Sequence, residues 1–275
     1  MHLFKTLLSA FLAVSAIATP ISDVSGHILT NEAFTFKSLV GRDDTTLTAA
    51  TLRTAMKDAS GWFAAKFRQY DVIIQGGAVN VLLGDRTSTR DMDYIASEWV
   101  QGEGYEGPLK DLKRAMAYAH KMAQERGQPI PNDWADSTIQ FHFYNKREVW
   151  TKYKTEALKQ YYVLEDGQNI DKDAVDSSDD EDYSCYGLTF IAAPFDYQFV
   201  VKIANANEGK QYDTADAAKY LNIWLGIQKK DSINYGIIQS WFTPWRQKIP
   251  NNLVGLCNQV NSNAGKELIT GIPAS

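Results

Sequence analysis

The spacing of apolar residues along the chain predicts four helices of useful length. Between Thr46 and Gln69, apolar side chains recur at intervals of three, four and seven, which is typical of an amphipathic helix. A second stripe occupies Leu109–Arg126, directly after a proline that suits the first turn of a helix. Further helices are predicted at Val149–Tyr162 and Phe195–Ala206. We expect the first helix to cover one face of a sheet.

Four short segments have the pattern of strands. They are Val72–Ile74, Asp91–Ile95, Ser137–Tyr144 with alternating apolar and polar positions, and Gly187–Ala192. Helices and strands in this mixed order predict an α+β fold, with a small mixed sheet flanked by helices. Beyond position 230 the chain is rich in aromatic and amide side chains, and we expect two or three helices broken at Pro244 and Pro250. Residues 19–230 are thus predicted to form the main domain, with 231–275 a helical extension packed on the same core.

The segment 71–96, DVIIQGGAVNVLLGDRTSTRDMDYIA, combines two kinds of chemistry. Gly76 and Gly77 end a strand and open a short helix, where the lack of side chains lets a phosphate approach the backbone. Asp91 and Asp93 are two residues apart, so on a strand their carboxylates point to the same face. Such a pair is costly without a cation between the groups, and oxygen-only ligands suit Mg²⁺ or Mn²⁺. A solvated strand end is the alternative explanation for the two aspartates.

This text resembles the signature of the nucleotidyltransferase superfold, in which a Gly-Gly turn precedes an Asp-x-Asp strand. It is most similar to the abortive-infection, toxin-type branch of that superfold. The positions that carry the resemblance are Gly76, Gly77, Gly84, Arg86, Thr89, Asp91 and Asp93. It implies that Asp91 and Asp93 bind Mg²⁺ or Mn²⁺, and that the glycines, Arg86 and Thr89 contribute to binding a nucleoside triphosphate. The implied reaction transfers a nucleotidyl group to a hydroxyl or phosphate acceptor.

A second stretch, residues 192–224, is similar to the downstream part of the same branch. The matching positions are Lys202 on a helix, and Asp213 and Asp216 at the start of the next helix. Lys202 is expected to hold the triphosphate as a point charge, and Asp213 to orient a substrate hydroxyl or act as a base. Each residue also has a plainer explanation: Lys202 extends its charge to solvent from an apolar helix, and Asp213 caps a helix.

Many catalytic members of the superfold carry a third carboxylate on a strand beside the Asp-x-Asp strand. No clear equivalent stands out here, because His142 or Gln140 takes the facing position in segment 137–144 and Asp136 lies at its edge. A catalytically degenerate protein that acts by binding therefore remains an alternative.

The first 18 residues have the features of a secretory signal peptide. Lys5 precedes an uncharged, largely apolar run, and Ala16-Ile17-Ala18 offers a cleavage site. The apolar run is too short to span a bilayer, so we expect a secreted chain without a membrane span. In an oxidising pathway Cys185 and Cys257 either form a disulfide or remain buried thiols.

Charge and the remaining motifs exclude several other functions. The tract 171–182 holds seven acids and one lysine, a net charge of −6 against −5 for the whole chain, so the acidity is local and typical of a solvated loop. The sequence contains no stripe of basic residues, which would be the sign of a general nucleic-acid binding surface. A G-x-G-x-x-G run at 102–107 follows no buried strand and contains two glutamates that would repel a pyrophosphate. Neither a Gly-x-Ser-x-Gly nor a His-Glu-x-x-His motif occurs.

Overall fold

A computed structural model describes residues 46–66, 69–96, 108–138, 143, 146–167, 187–210 and 213–274. These residues belong to a single unit, Asp43–Ser275. Several features named above lie outside the described residues: the predicted signal peptide, the G-x-G-x-x-G run, the acidic tract, Gln140, His142 and Cys185.

The described part of the chain alternates helices with short strands. The helices are α1 (Ala49–Ala64), α2 (Gly77–Leu82), α3 (Pro108–Glu125), α4 (Arg147–Gln160), α5 (Phe195–Asn207), α6 (Asp213–Ile227), α7 (Tyr235–Phe242) and α8 (Leu253–Ala264). The strands are β1 (Gln69–Gln75), β2 (Met92–Ala96), β3 (Ala135–Asp136), β4 (Val163–Asp166), β5 (Gly187–Ala192), β6 (Ile233–Asn234) and β7 (Ile269–Thr270).

Five strands form a mixed sheet in the order β3-β2-β1-β5-β4. The central strand β1 pairs antiparallel with β2 and parallel with β5. At the edges, β3 is parallel to β2 and β4 is antiparallel to β5. The predicted α+β architecture, a small mixed sheet flanked by helices, is therefore confirmed at this level.

Helices cover the sheet on both faces because side chains alternate along its strands. Val72 and Ile74 of β1 pack in one core with residues of α1 and α3, such as Leu52 and Leu112. Ile73, between them, packs in a second core with α4 and the four helices from α5 to α8. All five of these side chains are fully buried. The two cores hold the ends of β1 and β2, where the sequence motif lies.

The predicted strand 137–144 is wrong at its described positions. The strand β3 is confined to Ala135–Asp136, and Ser137, Thr138 and Phe143 lie outside it. The physical reason is a local turn: the Asp136 carboxylate accepts hydrogen bonds from the backbone N–H and the hydroxyl of Thr138, at 2.8 and 2.7 Å. Side chains of this kind compete with the sheet for backbone groups.

The first helix is shorter than its apolar pattern predicts. It begins at Ala49 because Thr48 caps it, its Oγ1 accepting from the Thr51 N–H at 3.3 Å. Leu47 lies before the helix and forms an isolated antiparallel bridge with Thr89 instead. The apolar stripe thus continues beyond the helix because Leu47 fills the same core from an extended segment.

The C-terminal part contains the two predicted helices, α7 and α8, with both prolines between them. The parallel pair β6–β7 was not predicted from the sequence, and the side chain of Asn261 supports it. Its Oδ1 accepts from the N–H groups of Leu268 and Ile269, at 3.0 and 2.8 Å, and its Nδ2 donates to the Ile269 carbonyl. The two-residue strands are too short to show a period in sequence.

Among the described helices, none has the length and apolar character needed to cross a bilayer. The side chain of Cys257 on α8 is buried, and burial raises the pKa of its thiol to about 12. The proposed partner of Cys257 in a disulfide, Cys185, lies outside the described residues, so the disulfide stays a prediction.

Candidate functional site

The first glycine of the motif forms a sharp turn between β1 and α2. Gly76 has φ +75° and ψ −145°, a conformation that side chains strongly disfavour. Helices α5 and α6 fix this turn: the Gly76 N–H donates to Gln198 Oε1 at 3.2 Å, and the Tyr220 hydroxyl donates to the Gly76 carbonyl at 2.9 Å. Residues more than 120 positions downstream therefore hold the turn in place.

The second glycine is required by a close neighbour. A Cβ placed on Gly77 would lie 2.7 Å from Thr89 Oγ1 and 3.7 Å from Arg86 Nη1. The backbone of Thr89 is itself fixed, since it exchanges two hydrogen bonds with Leu47 at 2.7 and 2.9 Å. The structure thus brings Gly77, Arg86 and Thr89 together, and their predicted role in binding a nucleoside triphosphate stays a prediction.

Asp93 lies directly beside the glycine turn. It is the second residue of β2, opposite Gln75 at the end of β1. A Cβ on Gly76 would come within 3.1 Å of Asp93 Oδ2, so this carboxylate occupies the space next to the turn. Asp91 immediately precedes Met92, where β2 begins. The two carboxylates therefore lie at the start of the strand rather than both within it.

The electrostatic surroundings of Asp93 are unfavourable to its ionised form. The pKa of Asp93 is raised to about 6, mainly by burial and then by the negative charges of Asp91 and Asp136, while Lys202 acts in the opposite direction. Like charges held this close destabilise each other. A divalent cation between the carboxylates would remove this cost.

Asp136 is brought to the site by strand pairing. It is the register partner of Asp93 in the parallel pair β2–β3, so both side chains project from the same face of the sheet. The pKa of Lys113 on α3 is lowered by burial. The nearby negative charge of Asp136 acts in the opposite direction but is the smaller effect. The sequence places Asp136 only at the edge of the predicted strand 137–144, because a two-residue strand has no pattern from which its register can be inferred.

Two cations and two aspartates form a largely buried ion network near the glycine turn. Lys202 Nζ lies 2.7 Å from Asp213 Oδ1 and 2.8 Å from Asp216 Oδ2. Arg86 Nη2 lies 2.8 Å from the same oxygen of Asp216. Both aspartate side chains are less than 5% exposed, and that of Lys202 is 12% exposed. Asp213 therefore pairs with Lys202 in this structure, and Asp216 joins Lys202 to Arg86.

The structure also adds three polar residues that sequence analysis did not select. Gln198 and Tyr220 hold Gly76, and the Tyr153 hydroxyl donates to Gln75 Oε1 at 2.9 Å, next to Asp93 along the sheet. Burial is the main cause of the raised pKa of Tyr153, and the negative charge of Asp93 also contributes to it. Of these three residues, Gln198 could have been selected from the sequence. It is an amide within the apolar part of α5, and a buried amide needs a hydrogen-bond partner.

Among the described residues, no group of three or more His, Cys, Asp or Glu side chains is arranged to hold a metal ion. Asp91 and Asp93 still fit Mg²⁺ as a pair, because this ion commonly takes one or two carboxylates and completes its shell with water and substrate phosphates. This fit is supported by the position of Asp93, which is partly buried beside the like charges of Asp91 and Asp136, so that both burial and repulsion raise its pKa. The donor set is oxygen only, which favours Mg²⁺ or Mn²⁺ over zinc.

Comparisons with protein-family models, curated proteins and solved structures found no match to this chain. The candidate function therefore depends on the geometry above and on the resemblance of the motif.

Proposed function

We propose that this protein is a metal-dependent nucleotidyltransferase that acts on a nucleoside triphosphate. The observation that carries the proposal is the position of the Asp93 carboxylate, against the Gly76 turn and beside a second carboxylate that raises its pKa. A candidate cation site and a glycine backbone that a phosphate can approach are thus adjacent. Transfer of a nucleotidyl group needs both features, because catalysis of phosphoryl chemistry is mainly positioning and charge compensation.

Asp91 and Asp93 would hold Mg²⁺ or Mn²⁺, which polarises the α-phosphorus and neutralises charge on the phosphate oxygens. Gly76 and Gly77 would seat the phosphate chain. Gln198 and Tyr220 form hydrogen bonds with the backbone of Gly76, so the turn is already formed without substrate. A preformed seat spends less binding free energy on ordering the protein.

Lys202 and Arg86 would compensate the charge of the departing pyrophosphate. Each is now paired with a buried aspartate, so the triphosphate has to compete with Asp213 and Asp216 for these cations. The aspartates hold the cationic groups in place. We therefore assign Asp213 to positioning Lys202.

Asp136 would serve as the general base towards the acceptor. It lies in register with Asp93 on the edge strand β3, whereas the glycine turn follows β1, the neighbour of β2 on its other side. This position suits a group that removes a proton from an incoming hydroxyl while pyrophosphate leaves from the opposite side. The acceptor oxygen then forms a bond to the α-phosphorus as the bond to the pyrophosphate oxygen breaks.

A secreted protein that binds nucleotides without catalysis is the second candidate. The closed network around Lys202, in which two aspartates already neutralise the lysine, favours it. The two candidates differ in whether pyrophosphate is released from bound substrate.

The test is release of pyrophosphate from ATP, CTP, GTP and UTP, each with and without Mg²⁺. We expect Mg²⁺-dependent release that Asp93→Asn lowers by roughly 10²–10³-fold, the usual cost of losing a preorganised electrostatic group. Asp71→Asn is the matched control: Asp71 lies on β1, and burial also raises its pKa, but it is four residues from the end of that strand. Equal activity of the two variants would contradict the assignment, and nucleotide binding without any release would favour the second candidate.

A further inference from the structure

Thr138 is bound to both oxygens of the Asp136 carboxylate. Its hydroxyl donates to Oδ2 at 2.7 Å, and its N–H donates to Oδ1 at 2.8 Å. The residue is exposed and lies just beyond the end of β3. A hydroxyl at this distance from a carboxylate meets the geometric requirement for proton transfer to a general base, about 2.6–3.2 Å between heavy atoms.

The Asp136 carboxylate is also the one that adjoins the proposed metal pair. Its register partner across β2–β3 is Asp93, and its negative charge contributes to the raised pKa of that residue. Neighbouring parallel strands lie about 4.8 Å apart, so an α-phosphate bound at Asp93 would come near a hydroxyl held on Asp136.

We propose that Thr138 is an acceptor for nucleotidyl transfer within the same chain. This inference rests on the proposed function. The Thr138 Oγ1 forms a bond to the α-phosphorus, the bond between that phosphorus and the bridging oxygen breaks, and pyrophosphate leaves. The hydroxyl proton passes to Asp136 and from there to solvent. The product is a nucleoside monophosphate ester of Thr138.

Two other hydroxyl groups near the site are less suited to this reaction. The Thr89 hydroxyl donates to the Asp91 carbonyl, at 3.1 Å, and thus lacks a basic partner in that bond. Ser137 is buried, with its side chain hydrogen-bonded to Tyr94. Thr138 combines exposure with a carboxylate in hydrogen-bond contact.

The test is intact-mass spectrometry of the purified chain after incubation with each of the four nucleoside triphosphates and Mg²⁺, followed by peptide mapping. We expect a gain of one nucleoside monophosphate unit, mapped to Thr138. Thr138→Val should lose the adduct and Thr138→Ser should retain it, because serine keeps the hydroxyl and the turn. Thr155→Val, at an exposed threonine on α4, should be modified like the wild type.

The wild-type peptide map decides the inference even if Thr138→Val is poorly folded. An adduct on another residue, or persistence of the adduct in Thr138→Val, would overturn it. Mg²⁺-dependent pyrophosphate release without any adduct would also overturn it, while leaving the proposed function intact. Absence of both adduct and pyrophosphate release, together with no binding of the four nucleotides, would overturn the proposed function as well.

Discussion

Asp93 combines burial with repulsion, so in the metal-free protein its carboxylate opposes folding. Its pKa in the folded state is about 6, against an ordinary value of 3.8. A raised pKa means that the folded state binds the proton more tightly than the unfolded state does. The resulting stabilisation is complete below pH 3.8 and is lost as the pH rises through 6.

Asp93→Asn should therefore melt at or above the wild type without metal. The difference should be small near pH 4, grow through pH 6 and level off above it, at roughly 1–3 kcal/mol of unfolding free energy, because asparagine does not ionise. Thermal melts from pH 4 to pH 8 measure this. Mg²⁺ with nucleotide should stabilise the wild type and leave Asp93→Asn unchanged.

A variant that melts well below the wild type at pH 8, without metal, would show instead that Asp93 is a structural residue. Asp71→Asn serves as the control for the response to ligand, since Mg²⁺ with nucleotide should stabilise it like the wild type. The assignment of the metal pair depends on this contrast.

The turn between β1 and α2 depends on two glycines for different reasons: Gly76 adopts a positive φ, and Gly77 makes room for Thr89. Gly77→Ala should cost about 1–3 kcal/mol of unfolding free energy, because its Cβ would meet a threonine whose backbone is fixed by Leu47. Gly61→Ala is the matched control: it lies within α1 with no atom within 4 Å of the added Cβ, so it should gain up to about 1 kcal/mol. Urea unfolding would measure both, and equal stabilities would contradict this explanation of Gly77.

The ion network links α5 and α6 to the loop between α2 and β2. Lys202→Met should cost about 3–5 kcal/mol of unfolding free energy, because it leaves Asp213 and Asp216 buried with Arg86 as the remaining cation of the network. Lys219→Met is the control, since Lys219 and its partner Asp85 are each about one-third exposed and 3.4 Å apart. That variant should lose less than about 1 kcal/mol.

Urea unfolding distinguishes these two lysines directly, and similar losses would show that burial of the Lys202 network adds nothing. Adding Asp213→Asn to Lys202→Met should recover part of the stability, because it removes the carboxylate whose ion pair with Lys202 is lost. Without that recovery, the loss would have to come from the packing of the lysine stem.

Local sequence features were sufficient to predict most of these elements. The β-branched run before Gly76, the proline before α3 and the apolar segment 187–192 each define an element by short-range chemistry. Elements of two to four residues were missed, as with β3, β4, β6 and β7, because such strands exist through pairing rather than through a periodic pattern. The same limit explains Asp136, whose importance follows from its register with Asp93.

The complete molecule assembles the candidate site from distant parts of the chain. The site lies where β1 ends and β2 and β3 begin, and Gln198 of α5 and Tyr220 of α6 hold its glycine turn. The motif at 71–96 was sufficient to select its carboxylates and glycines as candidate site residues, and the downstream stretch was sufficient to select Lys202. The contacts that join these segments, such as Tyr220 with Gly76 and Arg86 with Asp216, span 130 to 144 residues. No local pattern encodes such contacts.

Calorimetric titration of the purified chain with ATP, CTP, GTP and UTP, each with and without Mg²⁺, is the most direct test of a metal-dependent nucleotide site. We expect at least one nucleotide to bind in the presence of Mg²⁺, and binding to weaken by tenfold or more without the metal or in Asp93→Asn, since the two carboxylates and the phosphates share the ion. Asp71→Asn should bind like the wild type. If none of the four nucleotides binds, or if one binds with the same affinity without Mg²⁺ and in Asp93→Asn, the site is not the metal-dependent nucleotide site proposed here.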